Sequence, residues 1–333
     1  GNNAFAGCQS LETVALPESL ESVGKSAFAG CQENLLDDLQ YISINESNIH
    51  LRVDGDTLYL SGSGTVQKGD FGEYKPINVV VEKGITGIGA SSFSDYRSLI
   101  SITLPEGVEY IGTNAFRECD NLTSIVMPEG LKSIGGGAFY DCDNLISVTL
   151  PDSVATIGSW AFYNCDNLTL TPEALPADLK SIGEKAFLDC RSLTLTSLPD
   201  KLKFVDSWAF SGCVGLKSIV FPESLRTIGY EAFQGCKNLT LITLPEGLEI
   251  IEGLAFNDTS LTSVVIPDSV KVIGEKAFNY CSGLTEATVG RGVEELGENV
   301  FASNPTLTKI RVPKSMQDEL IKSGTDVSLV EWY

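Results

Sequence analysis

The stretch LTSIVMPEGLKSIGGGAFYDC, residues 122–142, contains the pattern from which the fold of this chain can be predicted. Ile125 and Met127 alternate with Ser124 and Val126, which is the period of two expected of a strand with one buried face. Pro128 follows and ends the strand, because proline has no amide proton to give to a β-ladder. The first half of the stretch therefore predicts a short strand.

The second half of the stretch predicts a bend and one tight turn. Leu131 and Ile134 return apolar side chains to the interior, and Gly135 permits the bend that follows. Phe139 and Cys142 come next, at a spacing that places both on the inner side of about one α-helical or 3-10 turn. A unit of this size cannot bury its own apolar side, but a stack of such units can.

The same pattern recurs along most of the chain, and its clearest marker is a phenylalanine that follows a small residue. Successive markers lie 23 residues apart, with one spacing of 25, one of 22 and a long gap between Phe28 and Phe93. About twelve stacked turns are expected, with these rings in one internal column. The marker residues are Phe5, Phe28, Phe93, Phe116, Phe139, Phe162, Phe187, Phe210, Phe233, Phe256, Phe278 and Phe301.

Written as a consensus, L-x-x-I-x-L-P-x-x-L-x-x-I-G-x-x-A-F-x-x-C, the pattern resembles the leucine-rich repeats of the BspA-like (treponemal) class, found in bacterial surface and secreted proteins. The resemblance covers residues 1–33 and 76–313. It implies an α/β repeat solenoid, a curved right-handed array of leucine-rich repeats, in a secreted or cell-surface protein.

Two segments depart from the consensus. Between Phe162 and Phe187 the unit has two extra residues and a second proline, in the run LTLTPEALP at 168–176. A longer interruption separates Phe28 from Phe93. We therefore predict leucine-rich repeats over 1–35, a β-hairpin insertion or cap over 36–75, leucine-rich repeats over 76–313 and a C-terminal cap over 314–333.

The interruption has the composition of strands rather than of a linker. Apolar residues predict strands over 41–44, 49–53 and 57–60, and the sequence Asp-Gly-Asp at 54–56 is a hairpin signal. Two arrangements are open. The hairpin caps a new array that begins at Pro76, or it bulges from the side of one continuous array, and we favour the bulge.

The far end of the array is predicted to be closed by a helix. A last strand at 307–313 precedes a short amphipathic helix over 314–322, in which Met316, Leu320 and Ile321 are spaced to cover the end of the core. Gly324 stops this helix. The apolar tail at 327–332 is expected to pack on the last turn.

Charge and composition argue against several classes of function. Acidic residues number 44 against 23 basic ones, so the net charge is −21. This argues against binding to nucleic acid or to anionic lipid, since both attract clustered Lys and Arg. No run of 18 apolar residues predicts a membrane span. Because the chain opens in the middle of a repeat at Gly1, we expect a fragment or a chain whose leader has been removed.

No catalytic, cofactor-binding or metal-binding residue is predicted, and no cofactor. The single histidine, His50, lies on a predicted strand between apolar neighbours, where a structural or surface role is expected. A phosphate-binding G-x-x-x-x-G-K-[ST] motif does not occur. We therefore predict that the chain is not an enzyme.

Nine cysteines each lie three residues after a marker phenylalanine, which makes cysteine a position of the repeat. We expect nine reduced structural thiols, because side chains related by translation point in parallel and reach bonding distance only with strain. Deep burial is expected for the seven from Cys31 to Cys236. The nine are Cys8, Cys31, Cys119, Cys142, Cys165, Cys190, Cys213, Cys236 and Cys281.

The outward positions of the predicted strands are mostly Ser, Thr and Val. They include Leu195 and Ser197 but no aromatic residue, and charges occur only in the last two turns. One interpretation, which we favour, is a solvated ladder of small side chains. The alternative is a weak, extended adhesive surface, although protein hot spots are usually Trp, Tyr or Arg.

Acidic residues follow the proline that ends many strands and would form a ladder along one edge of the array. A solvated edge that carries much of the net charge is the favoured interpretation, and a row of weak divalent-cation sites is the alternative. The ladder consists of Glu18, Glu106, Glu129, Asp152, Asp200, Glu223, Glu246 and Asp268.

The resemblance implies a function in recognition. We predict a non-enzymatic protein-interaction or adhesion module of a bacterial cell-surface or secreted protein, with a protein or glycan ligand and neither nucleic acid nor membrane insertion. The alternative is a structural spacer that presents another domain. Fold alone does not decide between them.

Overall fold

The computed structural model describes residues 42–43, 48–68, 75–170 and 175–333. It is a solenoid of parallel strands, and the 23-residue spacing of the markers gives about twelve turns. Each regular turn contributes a strand of about three residues, then a strand of two residues, and then the part of the chain around the marker phenylalanine. Phe5, Phe28, Cys8, Cys31 and the repeats predicted over 1–35 lie outside the described residues.

The first strand of each regular turn contributes to a surface that we call the strand face. Neighbouring strands pair in parallel and in register, so Ser101 lies opposite Ser124 and Ile102 opposite Ile125. The middle residue is buried and its two neighbours point outward, as the alternation predicts. The strands are β5 (Asn78–Val81), β7 (Ser101–Thr103), β9 (Ser124–Val126), β11 (Ser147–Thr149), β15 (Ser218–Val220), β17 (Leu241–Thr243), β19 (Ser263–Val265), β21 (Glu286–Thr288) and β23 (Lys309–Val312).

The second strand of each turn belongs to a sheet of eleven parallel strands. Isoleucine, valine or leucine ends most of these strands and points into the core, for example Ile134 and Ile157. The strands are β4 (Gly64–Val66), β6 (Ile85–Ile88), β8 (Tyr110–Ile111), β10 (Ser133–Ile134), β12 (Thr156–Ile157), β13 (Ser181–Ile182), β14 (Phe204–Val205), β16 (Thr227–Ile228), β18 (Ile250–Ile251), β20 (Val272–Ile273) and β22 (Glu295–Leu296).

The residues from three before to three after each marker form what we call the phenylalanine segment, and here the structure corrects the predicted helical turn. Residues two before and two after the marker have left-handed backbones, such as Asn114 at φ 55° and Glu118 at φ 56°. Their N–H groups and that of Phe116 donate to three carbonyls of the next turn at 2.8–2.9 Å. Every second peptide group thus points along the axis of the array and bonds to the next turn. These bonds between turns replace the i→i−4 bonds that a helix would form within one turn.

The strand face is interrupted, whereas the eleven-stranded sheet is not. Within the described residues the pairing of strands breaks twice, between β11 and β15, where one isolated bridge joins Ser197 and Val220, and again between β17 and β19. Leu195, predicted to point outward, is buried with 1% of its surface exposed. The extra residues of the preceding unit lie in this region, and a shift of one residue along a strand exchanges its inward and outward side chains.

The predicted hairpin is present and belongs to the sheet of the strand face. Its strands β2 (Ile49–Asp54) and β3 (Thr57–Gly62) are antiparallel, and β1 (Ile42–Ser43) pairs with β2. β3 pairs in parallel with β5, with Leu58 opposite Val79. The hairpin therefore continues the sheet at the start of the described turns. The repeats predicted over 1–35 lie outside the described residues, so the choice between a cap and a bulge stays a prediction.

The C-terminal end is covered by a short helix and a returning strand. Met316 and Leu320 are buried, one helical turn apart, whereas Ile321 is 57% exposed, so the prediction that all three cover the core is wrong for Ile321. A helix of six residues presents only one stripe to the core. The elements are a 3-10 helix (Lys314–Met316), α1 (Gln317–Lys322), a second 3-10 helix (Val327–Leu329) and β24 (Val330–Trp332), which pairs in parallel with β23.

The core contains the predicted column of phenylalanine rings. From Phe93 to Phe301 ten marker rings stack with centroids 5.2–5.8 Å apart and planes within 14° of parallel. All ten are buried. Leucine, isoleucine and valine from both strands of each turn surround the column, so the core is continuous along the described array.

Candidate protein-binding surface

A cluster of aromatic side chains lies on the outer side of the phenylalanine segments in the middle of the array. Two tryptophans and a lysine occupy the position two residues before the marker in three successive turns, and tyrosines flank them. We call this cluster the aromatic patch. It consists of Tyr140, Trp160, Tyr163, Lys185, Trp208 and Tyr230.

Lys185 is held between the two tryptophans. Its Nζ atom lies 4.2 Å from the ring centroid of Trp160 and 4.5 Å from that of Trp208. The same Nζ is 3.0 Å from a carboxylate oxygen of Glu184, and only 21% of the lysine side chain is exposed. Attraction of a cation to an indole face is strongest when the cation has lost water. The lysine therefore orders both indoles.

Hydrogen bonds and ring stacking extend this order to the neighbouring turns. Trp208 donates from Nε1 to an Oε atom of Glu231 at 2.8 Å. The rings of Tyr140 and Tyr163 stack with centroids 4.6 Å apart, and Trp160 lies 5.2 Å from Tyr163. The patch is thus a packed set of aromatic groups rather than separate exposed rings.

Ionisation of the two outer tyrosines is disfavoured. Burial, together with nearby Asp141, raises the pKa of Tyr140. A hydrogen bond to Glu231 raises the pKa of Tyr230. Both phenols therefore stay protonated, and they offer hydroxyl groups at the rim of an otherwise apolar cluster.

The backbone under the patch is left-handed at positions that carry large side chains. Trp160, Lys185 and Trp208 have φ angles of 63°, 57° and 57°. This conformation costs about 1–2 kcal/mol for a residue other than glycine. Gly137 and Asn114 occupy the same position in other turns, and these residue types adopt the conformation more readily. The tryptophans are therefore placed at a cost to stability.

The strand face offers a different kind of surface. Val126, Val265, Leu241 and Val220 point outward from it with 52–67% of their surface exposed. No aromatic residue occupies an outward position of the described strands that face this side, from β7 to β21. Charged side chains appear near its end, where Lys309 forms ion pairs with two glutamates. The face is flat, aliphatic and interrupted.

Comparison with known protein families shows the family to which the chain belongs. A model of the BspA type leucine rich repeat region, with six copies, matches residues 1–51, 65–193, 169–281 and 203–319. The chain belongs to the BspA-type leucine-rich repeat family. No curated protein matches it significantly.

Solved structures of bacterial proteins are similar to this BspA-type chain in fold. A leucine-rich repeat protein from Bacteroides ovatus aligns with a TM-score of 0.59 and 22% identity, over 86% of this chain and 98% of that chain. The pneumococcal vaccine antigen PcpA aligns with a TM-score of 0.50 and 20% identity, over 88% of this chain and 96% of that chain. At such identities the likeness shows the fold alone.

The cysteine position of the BspA-type repeat is a buried hydrogen-bonding position. Cys119 Sγ donates to the carbonyl of Phe93 at 3.1 Å, and Cys142 does the same to Phe116. Asn304 reproduces the contact with its side-chain amide, 2.9 Å from the carbonyl of Phe278. All seven described cysteines are free and buried, including Cys281, which we expected to be less so; they are Cys119, Cys142, Cys165, Cys190, Cys213, Cys236 and Cys281.

Burial also makes these thiols poor nucleophiles. It raises the pKa of Cys119 to about 12 and that of Cys281 to about 11, and it raises the pKa of the other five described thiols as well. The thiolate is the reactive form of cysteine. A nucleophilic role for these seven residues is therefore disfavoured.

The acidic edge of this BspA-type chain does not gather metal ligands. Within the described residues no group of three or more His, Cys, Asp or Glu side chains is close enough to hold a metal ion. Hard cations need several oxygen ligands at once, whereas this ladder supplies about one carboxylate per turn. The described part of the edge therefore gives no support to the alternative of a row of divalent-cation sites.

The single described histidine lies apart from the aromatic patch. His50 is exposed on β2 at the start of the described turns, far along the chain from the aromatic patch. None of the described helices is long and apolar enough to cross a membrane.

The aromatic patch was not predicted from the sequence, because only the outward positions of the strands were considered. Tabulating the residues two before and one after each marker would have found two tryptophans and two tyrosines at 139–210.

Proposed function

We propose that this chain is a non-enzymatic protein-interaction module of a bacterial surface or secreted protein, and that the aromatic patch is its contact surface. The observation that carries the proposal is Lys185 held between Trp160 and Trp208. Family membership supports the general role in interaction and the location. The patch supports the choice of surface.

The composition of the patch matches the residues that dominate binding energy in protein interfaces. Trp, Tyr and Arg are enriched at such hot spots, and Arg117 extends the patch, with its guanidinium carbon 5.2 Å from the ring centroid of Tyr140. Side chains that are already ordered lose little conformational entropy on binding. The patch therefore favours a stable contact more than the flexible aliphatic side chains of the strand face do.

The ring faces favour a protein ligand over a glycan. Sugars bind aromatic residues through open ring faces, but here Lys185 lies over one face of each tryptophan, and Tyr163 and Tyr230 contact the two rings at tilted or edge-on angles. Ring edges and hydroxyl groups remain for contact. Apolar or acidic side chains of a protein fit these edges, since the edge of an aromatic ring carries positive partial charge.

Binding to a panel of immobilised ligands tests the proposal. Purified extracellular-matrix proteins, mucin with and without its glycans, and bacterial surface extract are titrated with the chain. Saturable binding is expected to at least one of them, and Trp160→Ala with Trp208→Ala is expected to weaken it at least tenfold. The matched control is Val126→Ala with Val265→Ala on the strand face, which leaves binding unchanged.

Three results would contradict the proposal in different ways. Loss of binding with the control pair alone would place the contact on the strand face. Dependence on mucin glycans with no effect of the tryptophan pair would indicate glycan adhesion. No saturable binding to any ligand would favour the spacer role, in which the array presents another domain.

A further inference from the structure

The main-chain hydrogen bonds of the phenylalanine segments repeat from turn to turn until the last one. In the turn of Phe278, the N–H groups of Lys276, Phe278 and Tyr280 donate to three carbonyls of the following turn at 2.9, 3.0 and 3.3 Å. Three donors per turn therefore point toward the C-terminal end of the array. At the last described turn, that of Phe301, the next elements along the chain are those of the C-terminal cap rather than another repeat.

Only one of the last three donors is paired. The N–H of Asn299 donates to the carbonyl of Ser323 in the C-terminal cap at 2.7 Å. Within the described part of the chain, the N–H groups of Phe301 and Ser303 have no acceptor. Phe301 is buried, where donors are nearly always paired, whereas Ser303 is exposed. Both N–H groups are thus left to a ligand or to water.

A cavity lies beside the last described turn, next to the two unpaired N–H groups. It has a volume of about 690 Å³ between the last turn and the cap, and Phe301, Ser303, Tyr280, Thr325 and Leu329 contribute to its lining. Ligand pockets commonly have volumes of about 300–1,000 Å³. The cap thus closes one part of the array's end and leaves the part beside the two unpaired donors open.

We propose that this cavity binds a short peptide segment that takes the place of the next turn. Two of its carbonyls, two residues apart, accept from the N–H groups of Phe301 and Ser303. In the turns from Phe93 to Phe256 an alanine supplies the first of these carbonyls and the next marker phenylalanine follows it, as Ala277 and Phe278 do; Val300 takes this place for Phe278. The fitting segment is therefore a small residue followed by an aromatic one, whose ring packs beside Phe301.

Charge around the cavity favours a neutral or basic peptide over an anion. Asp258 and Asp326 both line it. Asp258 is paired with Lys237 at 3.4 Å, and Asp326 accepts from the N–H of Ser328 at 2.9 Å. The net charge of −21 acts in the same direction. A small anion bound to the two N–H groups would have to overcome this field.

Hydrogen exchange and NMR on the full chain test the proposal, with the acetylated and amidated peptide Lys-Ala-Phe-Asn-Tyr, the sequence of residues 276–280, as the probe. In the free protein the N–H groups of Phe301 and Ser303 are expected to exchange at least tenfold faster than those of Phe278 and Tyr280. The peptide is expected to shift both signals in a saturable way and to slow their exchange. Replacing its phenylalanine by glycine is expected to weaken binding at least tenfold.

A cavity-filling variant provides the matched control. Leu329→Trp is expected to abolish peptide binding, whereas Leu241→Trp, the same change on the strand face, leaves it intact. Slow exchange of both N–H groups in the free protein would overturn the proposal without any variant. So would protection by phosphate or acetate alone, or absence of saturation at millimolar peptide. Trp160→Ala is expected to have no effect here, so this test is independent of the aromatic patch.

Discussion

The strand face and the phenylalanine segment of the same turn join neighbouring turns through different kinds of hydrogen bond. On the strand face, short extended strands pair through an ordinary β-ladder, and within the described residues the pairing stops at the two places where the repeat spacing departs from 23 residues. In the phenylalanine segment, two left-handed residues per turn direct alternate peptides along the axis. There the hydrogen bonds and the stack of rings run without interruption from Phe93 to Phe301.

The difference indicates which side maintains the array. An irregular unit is tolerated on the strand face because solvent can replace a lost ladder bond on an exposed surface, whereas a break in the phenylalanine segment would leave buried donors and thiols unpaired. The regular side also carries the aromatic patch on its outer surface. The ladder of buried hydrogen bonds and the proposed contact surface are thus on the same side of the turn.

The largest expected change in the free energy of unfolding comes from alkaline pH, which ionises the buried thiols of the phenylalanine segments. Burial raises the pKa of all seven described thiols above the ordinary value, as for Cys119, at about 12. Because the folded state holds these protons more tightly than the unfolded state, the stabilisation is complete below about pH 9 and is lost as pH rises through the folded pKa values. Each thiol contributes a slope of about 1.4 kcal/mol per pH unit in this range.

Denaturant unfolding at pH values from 7 to 11 measures this slope. Cooperative unfolding is expected before pH 11, since total stabilities are about 5–15 kcal/mol. Cys281→Thr is the matched control, because Thr259 occupies the same position in another turn, where it donates to the carbonyl of Phe256 at 3.0 Å. This variant is expected to reduce the slope by the contribution of one thiol, about 1.4 kcal/mol per pH unit. A stability that stays constant from pH 8 to 11 would contradict the burial of the thiols as neutral groups.

Truncation of one ring tests the column itself. Phe139→Ala removes a fully buried ring that stacks on two neighbours at 5.2 Å, and it is expected to destabilise the chain by ~3–5 kcal/mol. Val126→Ala, on the strand face of the same turn, is expected to change the free energy of unfolding by less than ~0.5 kcal/mol. Chemical denaturation of both variants gives the comparison. Similar losses would mean that the two sides stabilise the array equally.

Sequence alone predicted the periodic features of this fold and missed those that depend on backbone conformation. The strand of Ser124–Val126 and the buried ring of Phe139 follow from apolar spacing, which each unit repeats. The left-handed residues were not predicted because Trp160 and Lys185 do not favour that conformation, so the requirement comes from the neighbouring turns. The hairpin's place in the sheet also depends on long-range pairing.

The aromatic patch could be predicted only in part, for a related reason. The identity of its residues is visible in the sequence, at fixed distances from Phe162 and Phe210. Their contact is not visible, because the unit that contains Lys185 has extra residues between Trp160 and Lys185. Only the continuous phenylalanine segment keeps the three side chains aligned.

A smaller effect is expected when the charge within the aromatic patch is removed. Lys185→Met keeps most of the stem but loses two cation–π contacts, each worth about 0.5–1 kcal/mol, so a loss of ~1–2 kcal/mol is expected. Tryptophan fluorescence should shift as both indoles lose their common partner. Lys217→Met is the control, because within the described chain this lysine has neither an ion pair nor a ring contact. Equal effects of the two changes would mean that Lys185 does not order the tryptophans.

The smallest expected effect has opposite signs on the two sides of the turn. Ser91 precedes Phe93 by two residues and has a φ of 54°, whereas Ser147 lies in the extended strand β11. Glycine adopts a left-handed backbone without the steric cost of a Cβ atom, but it loses more entropy on folding. Ser91→Gly is therefore expected to stabilise the chain by ~0.5 kcal/mol, and Ser147→Gly to destabilise it by ~0.5–1 kcal/mol. Thermal unfolding of the two variants measures both signs, and destabilisation by Ser91→Gly would mean that the left-handed residues of the phenylalanine segment are not strained.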